Sequence, residues 1–89
     1  MEKLYIVAQM TDSHDLFIGA FVKEQIAINV AKLNANNTQD TGYGVSFRVS
    51  LQETTSYNQT KFTKLWSIRK IEDQIIVKRI TVVHNPCQN

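Results

Sequence analysis

The sequence has one cysteine and one proline in 89 residues. The single cysteine, Cys87, cannot form an internal disulfide, and a small domain without disulfides is typical of a reducing compartment. No segment approaches the roughly twenty consecutive apolar residues of a membrane span. The apolar part of MEKLYIVAQM is also too short for a secretory signal. We therefore expect a cytoplasmic protein that does not bind a membrane.

The sequence also has little that suggests catalysis or metal binding. His84 and Cys87 have the spacing of half a zinc site, but a structural zinc needs four ligands and the only other histidine is His14. Asp12, His14 and Asp15 lie in the segment TDSHD, where short polar side chains favour a turn. The sequence therefore predicts no enzyme, no metal site and no cofactor.

The composition is that of an ordinary globular domain, with 43% hydrophobic and 20% charged residues. We expect one domain over residues 1–84 and a flexible tail over 85–89, since Pro86 ends any strand. The net charge of +2 is unevenly distributed. Residues 1–40 carry three basic and five acidic side chains, whereas residues 41–89 carry seven basic and three acidic.

Alternation of side chains with a period of two indicates five strands. The first two, Lys3–Met10 and Leu16–Val22, are separated only by TDSHD and are expected to form a hairpin. In the third, Val45, Phe47, Val49 and Leu51 alternate with polar residues, which predicts one buried and one solvated face. The last two are expected at about Leu65–Lys70 and Ile75–Val83.

From Lys23 the apolar residues recur at helical spacing and gather on one side of a helix, namely Ile26, Ala27, Val30, Ala31 and Leu33. We expect Ile26, Val30 and Leu33 to pack against the third strand and form the core with it. No residue at Val22-Lys23 favours helix capping, so we expect the first turn of the helix to be frayed or shifted. The helix is expected to close at 34–37, where asparagines tolerate the left-handed conformation.

The resulting order is β-β-α-β-β-β. Because the strands are joined mostly by short links, this order predicts an α+β fold, an antiparallel sheet of about five strands with one helix packed on one face.

The hairpin KLYIVAQM…LFIGAFV followed by the helix KEQIAINVAKLN resembles small uncharacterised proteins of bacteriophage and bacterial genomes. The resemblance covers the first third of the chain, and Val22 stands where that pattern usually has a serine or threonine cap. The abundance of Asn, Ile and Lys also resembles proteins of AT-rich phages. The resemblance implies an accessory protein of a phage or mobile element that binds and modulates or inhibits a host protein in the host cytoplasm.

The segment KFTKLWSIRKIEDQIIVKRITVV holds six of the ten basic residues and the only tryptophan. Basic residues at both odd and even positions of a strand point to opposite faces, so we expect them on both sides of a terminal hairpin. One face, carrying Lys64, Trp66 and Lys70, is suited to hold single-stranded nucleic acid by stacking and charge. The same arrangement is expected of a core tryptophan flanked by edge lysines that discourage aggregation. The candidate surface for a partner or a nucleic acid comprises Arg48, Lys64, Trp66, Arg69, Lys70, Lys78 and Arg79.

Two hypotheses follow from these features. The first is a non-enzymatic module for protein–protein interaction, whose uncovered sheet face contacts a host protein. The alternative is a module that binds RNA or single-stranded nucleic acid with the basic terminal hairpin. An edge strand rich in Ile and Val also predicts a homodimer.

Overall fold

The computed structural model describes residues 2–39, 44–55, 57 and 59–84. It contains five strands and one helix in the predicted order: β1 (Glu2–Met10), β2 (Asp15–Phe21), α1 (Glu24–Asn37), β3 (Val45–Thr54), β4 (Thr60–Ile71) and β5 (Gln74–His84). The predicted fold class, α+β with one helix, is confirmed. The expected tail at 85–89, with Cys87, lies outside the described residues.

All five strands form one antiparallel sheet in the order β2-β1-β3-β4-β5. The β1–β2 hairpin and the meander of β3, β4 and β5 each pair strands that follow one another along the chain. The helix leaves β2 at one edge of the sheet and returns the chain to β3, next to β1. Strands β2 and β5 therefore form the two edges.

The helix packs on one face of the sheet through a stripe of small residues. Ala27, Ala31 and Ala35 are fully buried, and Ile28 is nearly so. Because alanine side chains are short, the helix backbone can lie close to the strands. Opposite this stripe, the largest fully buried side chains of the sheet are Phe47, Ile68, Val7 and Val49.

The predicted apolar side of the helix was right for Ala27 and Ala31 but wrong for the large residues expected to form the core, whereas the buried face of the third strand was right for its central residues. Ile26 is 47% exposed and Leu33 is 59% exposed. These larger apolar residues lie about 100° or more around the helix from the alanine stripe. The large apolar residues were expected in the core because of their size. Phe47 and Ile68 already fill the space between the sheet and the helix, so only small helix residues fit there.

The ends of the helix differ from each other in how their backbone groups are satisfied. At the start, Lys23 occupies the cap position without a side-chain hydrogen bond, but the N–H of Ala27 donates to the carbonyl of Lys23 at 3.2 Å, so the first turn is neither frayed nor shifted as the sequence predicted. At the end, Thr38 has an extended backbone rather than a left-handed one, which corrects the expected closure. Its backbone N–H and its hydroxyl both donate to the carbonyl of Asn34, at 3.0 and 2.7 Å.

Candidate interaction surface

The face of the sheet opposite the helix, here called the open face, has no element packed on it among the described residues. Residues that alternate with the core side chains of β1, β3 and β4 point to it, since successive side chains of a strand alternate between faces. Two shallow depressions lie on this face, one towards β2 and one towards β5.

The aromatic depression, of about 250 Å³, lies on β2, β1, β3 and the start of β4. Its apolar lining is Ile6, Ala8, Phe17 and Phe62, and its polar lining is Asp15, Arg48, Ser50 and Gln52. Phe17 is 68% exposed, an unusual environment for so large an apolar side chain. Exposed aromatic side chains beside partly buried aliphatic ones, here Ile6 and Ala8, are enriched at the centres of protein interfaces.

The basic depression, of about 380 Å³, lies between β4 and β5. It is lined by Ser67, Arg69, Ile71, Ile76, Lys78 and Ile80. The lining contains two cations and no carboxylate. Within the part of the chain that the structure describes, the ion pairs are Lys3–Glu53 and Arg48–Asp15, so Arg69 and Lys78 have no acidic partner there.

The seven residues of the sequence-predicted surface divide between the two faces. Arg48, Arg69 and Lys78 line the depressions of the open face. Lys64 pairs with Ser50 of the aromatic depression and therefore shares the open face. The remaining three, Trp66, Lys70 and Arg79, lie on the helix side of the sheet.

A β-bulge explains why Lys64 is separated from Trp66. The pairing of β4 shifts by one residue between these positions relative to β5, and between Val49 and Ser50 relative to β3. One extra residue in a strand reverses the face of everything beyond it. The expectation that Lys64, Trp66 and Lys70 share a face was therefore wrong, because strict alternation does not register the bulge at Leu65.

Trp66 belongs to a small network at the border of the helix. Its indole Nε1 donates to Oε2 of Glu24 in the first helical turn, at 3.4 Å. The guanidinium of Arg79 lies 5.0 Å from the centre of the indole ring, within the range of a cation–π interaction. Arg79 Nε also donates to the hydroxyl of Thr81, at 2.7 Å. The tryptophan is thus held between an acid and a base of its own chain.

Lys70 closes the other end of the helix. The residue is only 8% exposed, and its ammonium donates to the carbonyls of Asn36 and Thr38, at 3.1 and 3.2 Å. Carbonyls at a helix C-terminus lack intrahelical partners and carry the negative end of the helix dipole. The geometry assigns Lys70 a structural role between β4 and α1.

The aromatic depression of the open face was not predicted from the sequence. Ile6, Phe17 and Phe62 were not among the candidate residues, although they line the aromatic depression. A signal for them was present, because β1 and β2 carry apolar side chains on both faces. One helix covers only one of those faces, so the second set remains at the surface.

The segment around His14 forms a locally bonded turn. The backbone N–H of His14 donates to the hydroxyl of Thr11 at 3.1 Å, and Nδ1 of its ring lies 2.9 Å from the hydroxyl of Ser13. Asp15 pairs with Arg48 at 3.6 Å. Among the described residues, no three His, Cys, Asp or Glu side chains are grouped as a metal site requires.

Comparison with protein-family models, with curated proteins and with solved structures finds no match to this chain. No helix among the described residues has the length and apolar character needed to cross a membrane.

Proposed function

We propose that the protein is a non-enzymatic interaction module that binds another protein with the open face of its sheet. The observation that carries the proposal is the aromatic depression, where Phe17 stands exposed beside Ile6 and Phe62. An apolar patch bordered by charged residues is the usual anatomy of a protein interface. The resemblance of the first third of the chain to small phage proteins supports a host protein in the host cytoplasm as the partner.

The test is affinity purification of the tagged protein from a bacterial lysate treated with nuclease. Replacing the exposed aromatic, as Phe17→Asp, places a charge in the aromatic depression and should abolish recovery of the partner. The matched control is Tyr57→Asp, since Tyr57 is 85% exposed in the turn between β3 and β4. A partner retained equally by both variants would contradict the proposal.

Binding of RNA or single-stranded nucleic acid is the second candidate function. It is favoured by the four cations of the open face, Arg48, Lys64, Arg69 and Lys78, of which only Arg48 is paired with an acid in the described structure. Because Trp66 is engaged with Glu24 and Arg79, base stacking would depend on Phe17 or Phe62 instead.

This alternative is tested by titrating labelled single-stranded RNA and DNA at about 50 and 200 mM salt, a range over which a protein that neutralises several phosphates loses affinity steeply. Tight binding at the lower salt that disappears at the higher salt, and in Lys64→Glu, Arg69→Glu protein, would favour nucleic acid. Binding that is absent at both salt concentrations would reject it.

Self-association through β5 is part of the same proposal. This edge strand has 11 residues and exposes Ile76 and Val77. The unpaired backbone groups of an edge strand can pair with those of its copy about a two-fold axis. The open face remains free in such a dimer.

A further inference from the structure

We infer that the open face takes an extended acidic polypeptide segment that runs across the strands, with an apolar anchor in the aromatic depression and carboxylates over the basic depression. The inference rests on the proposed function and adds the chemistry and direction of the partner.

The direction follows from one row of residues that crosses all five strands. Cross-strand pairing connects Phe17 with Ala8, Ala8 with Arg48, Arg48 with Ser67, and Ser67 with Lys78. Neighbouring strands are about 4.8 Å apart, so four such steps span roughly 19 Å. An extended chain advances about 3.3 Å per residue, and a segment of roughly six residues covers the row.

The chemistry changes along this row. At the β2 end the exposed ring of Phe17 lies beside Ile6 and Ala8, and the one carboxylate there, Asp15, is paired with Arg48. At the β5 end Arg69 and Lys78 lie in one depression without an acidic partner among the described residues. A ligand that matches both ends is apolar at one end and acidic at the other.

This gradient favours a polypeptide over a nucleic acid. A nucleic-acid strand carries a negative charge on every nucleotide, so part of it would lie over Asp15 and the apolar lining. A polypeptide can concentrate its carboxylates at one end. Within the depressions, the polar side chains of Ser50, Gln52 and Ser67 can hydrogen-bond to the backbone of a segment that crosses the strands and so cannot extend the sheet.

The experiment is a selection of random 12-residue peptides displayed on phage against the immobilised protein. We expect the selected peptides to carry an aromatic or large aliphatic residue separated by about three to five positions from a group of Asp or Glu. A labelled synthetic copy of a selected peptide then gives the Kd by fluorescence anisotropy, and this Kd should rise with salt.

Charge variants locate the acidic end of the segment. Arg69→Glu, Lys78→Glu protein should bind the labelled peptide at least about tenfold more weakly. Lys23→Glu, Lys32→Glu protein has the same change in net charge on exposed residues at or in the helix, and should bind within about twofold of the parent. Thermal unfolding of each protein shows whether the charge reversal perturbs folding. If it does, the neutral variant Arg69→Gln, Lys78→Gln replaces it in the comparison of peptide affinities.

The outcomes separate this inference from the proposed function. Selected peptides that show no acidic preference but lose binding in Phe17→Asp would overturn the inference and leave the open face as a protein-binding surface. Failure to select any peptide would overturn the inference, and salt-sensitive binding of an oligouridylate in addition would overturn the proposed function as well.

Discussion

Replacing Lys70 by Met tests whether this lysine holds the helix to the sheet or serves the binding surface. Met retains most of the apolar volume of the lysine stem, so the variant removes the charge without leaving a large cavity. It deletes the hydrogen bonds to the carbonyls of Asn36 and Thr38. It also removes a cation from the C-terminus of α1.

The magnitude follows from these interactions. A hydrogen bond to a charged group contributes about 1.5–3 kcal/mol, and a cation at a helix C-terminus about 0.3–1 kcal/mol. Since Asn36 is exposed, water can replace the ammonium at its carbonyl and recover part of this energy. We therefore expect Lys70→Met to lower the free energy of unfolding by about 2 kcal/mol. For a domain of this size that corresponds to roughly 8–16 °C in Tm.

The assay is urea and thermal unfolding followed by circular dichroism. The control is Lys61→Met, because Lys61 is an exposed lysine of the same strand, and its loss should change stability by less than about 0.5 kcal/mol. Equal stability of Lys70→Met and Lys61→Met would refute the assignment of Lys70 as a helix cap.

Three further predictions concern the core and the sheet edge. Phe47→Ala removes a side chain that is only 1% exposed and should cost about 3–5 kcal/mol, so an unfolding midpoint within a degree or two of the parent would show that it is not in the core. Ala31→Leu adds volume between the helix and the sheet and should lower the free energy of unfolding by about 1–3 kcal/mol, whereas Leu33→Ala should change it by less than about 0.5 kcal/mol. A larger loss of stability in Leu33→Ala than in Ala31→Leu would show that Leu33, as predicted from the sequence, faces the core. Light scattering should give the mass of two chains at high micromolar concentration, and this dimer should strengthen with salt, because antiparallel pairing of two β5 strands near their centres brings Arg79 of each copy together. A mass of one chain throughout would exclude it.

The order and type of the elements could be predicted from the sequence because periodicity is a local property. In β3, Phe47 and Val49 alternate with Ser46 and Arg48, and this alternation specifies both a strand and its buried side. The helix was recognised for the same reason. Its buried side was not, because that depends on the space left by Phe47 and Ile68, which are distant in sequence.

The candidate surface was predictable only in part. Strict alternation correctly separates Arg69 from Lys70, since no irregularity lies between them. It fails for Lys64, because the bulge at Leu65 depends on pairing with β3 and β5 and has no composition signal such as glycine. The role of Lys70 could not be read from the sequence either, since the carbonyls it binds are more than 30 positions away.

The position of β1 between β2 and β3 has a consequence for how the chain folds. The β1–β2 hairpin and the meander of β3, β4 and β5 pair residues that are close in sequence. In contrast, the β1–β3 ladder joins Met10 to Ser46 and Glu2 to Thr54, which are 36 (46 − 10) and 52 (54 − 2) positions apart. Closing a long loop has an entropic cost that must be met before the contacts form. We therefore expect formation of this ladder, with the helix spanning it, to limit the folding rate. During synthesis the edge of β1 that pairs with β3 stays unpaired until β3 has emerged from the ribosome.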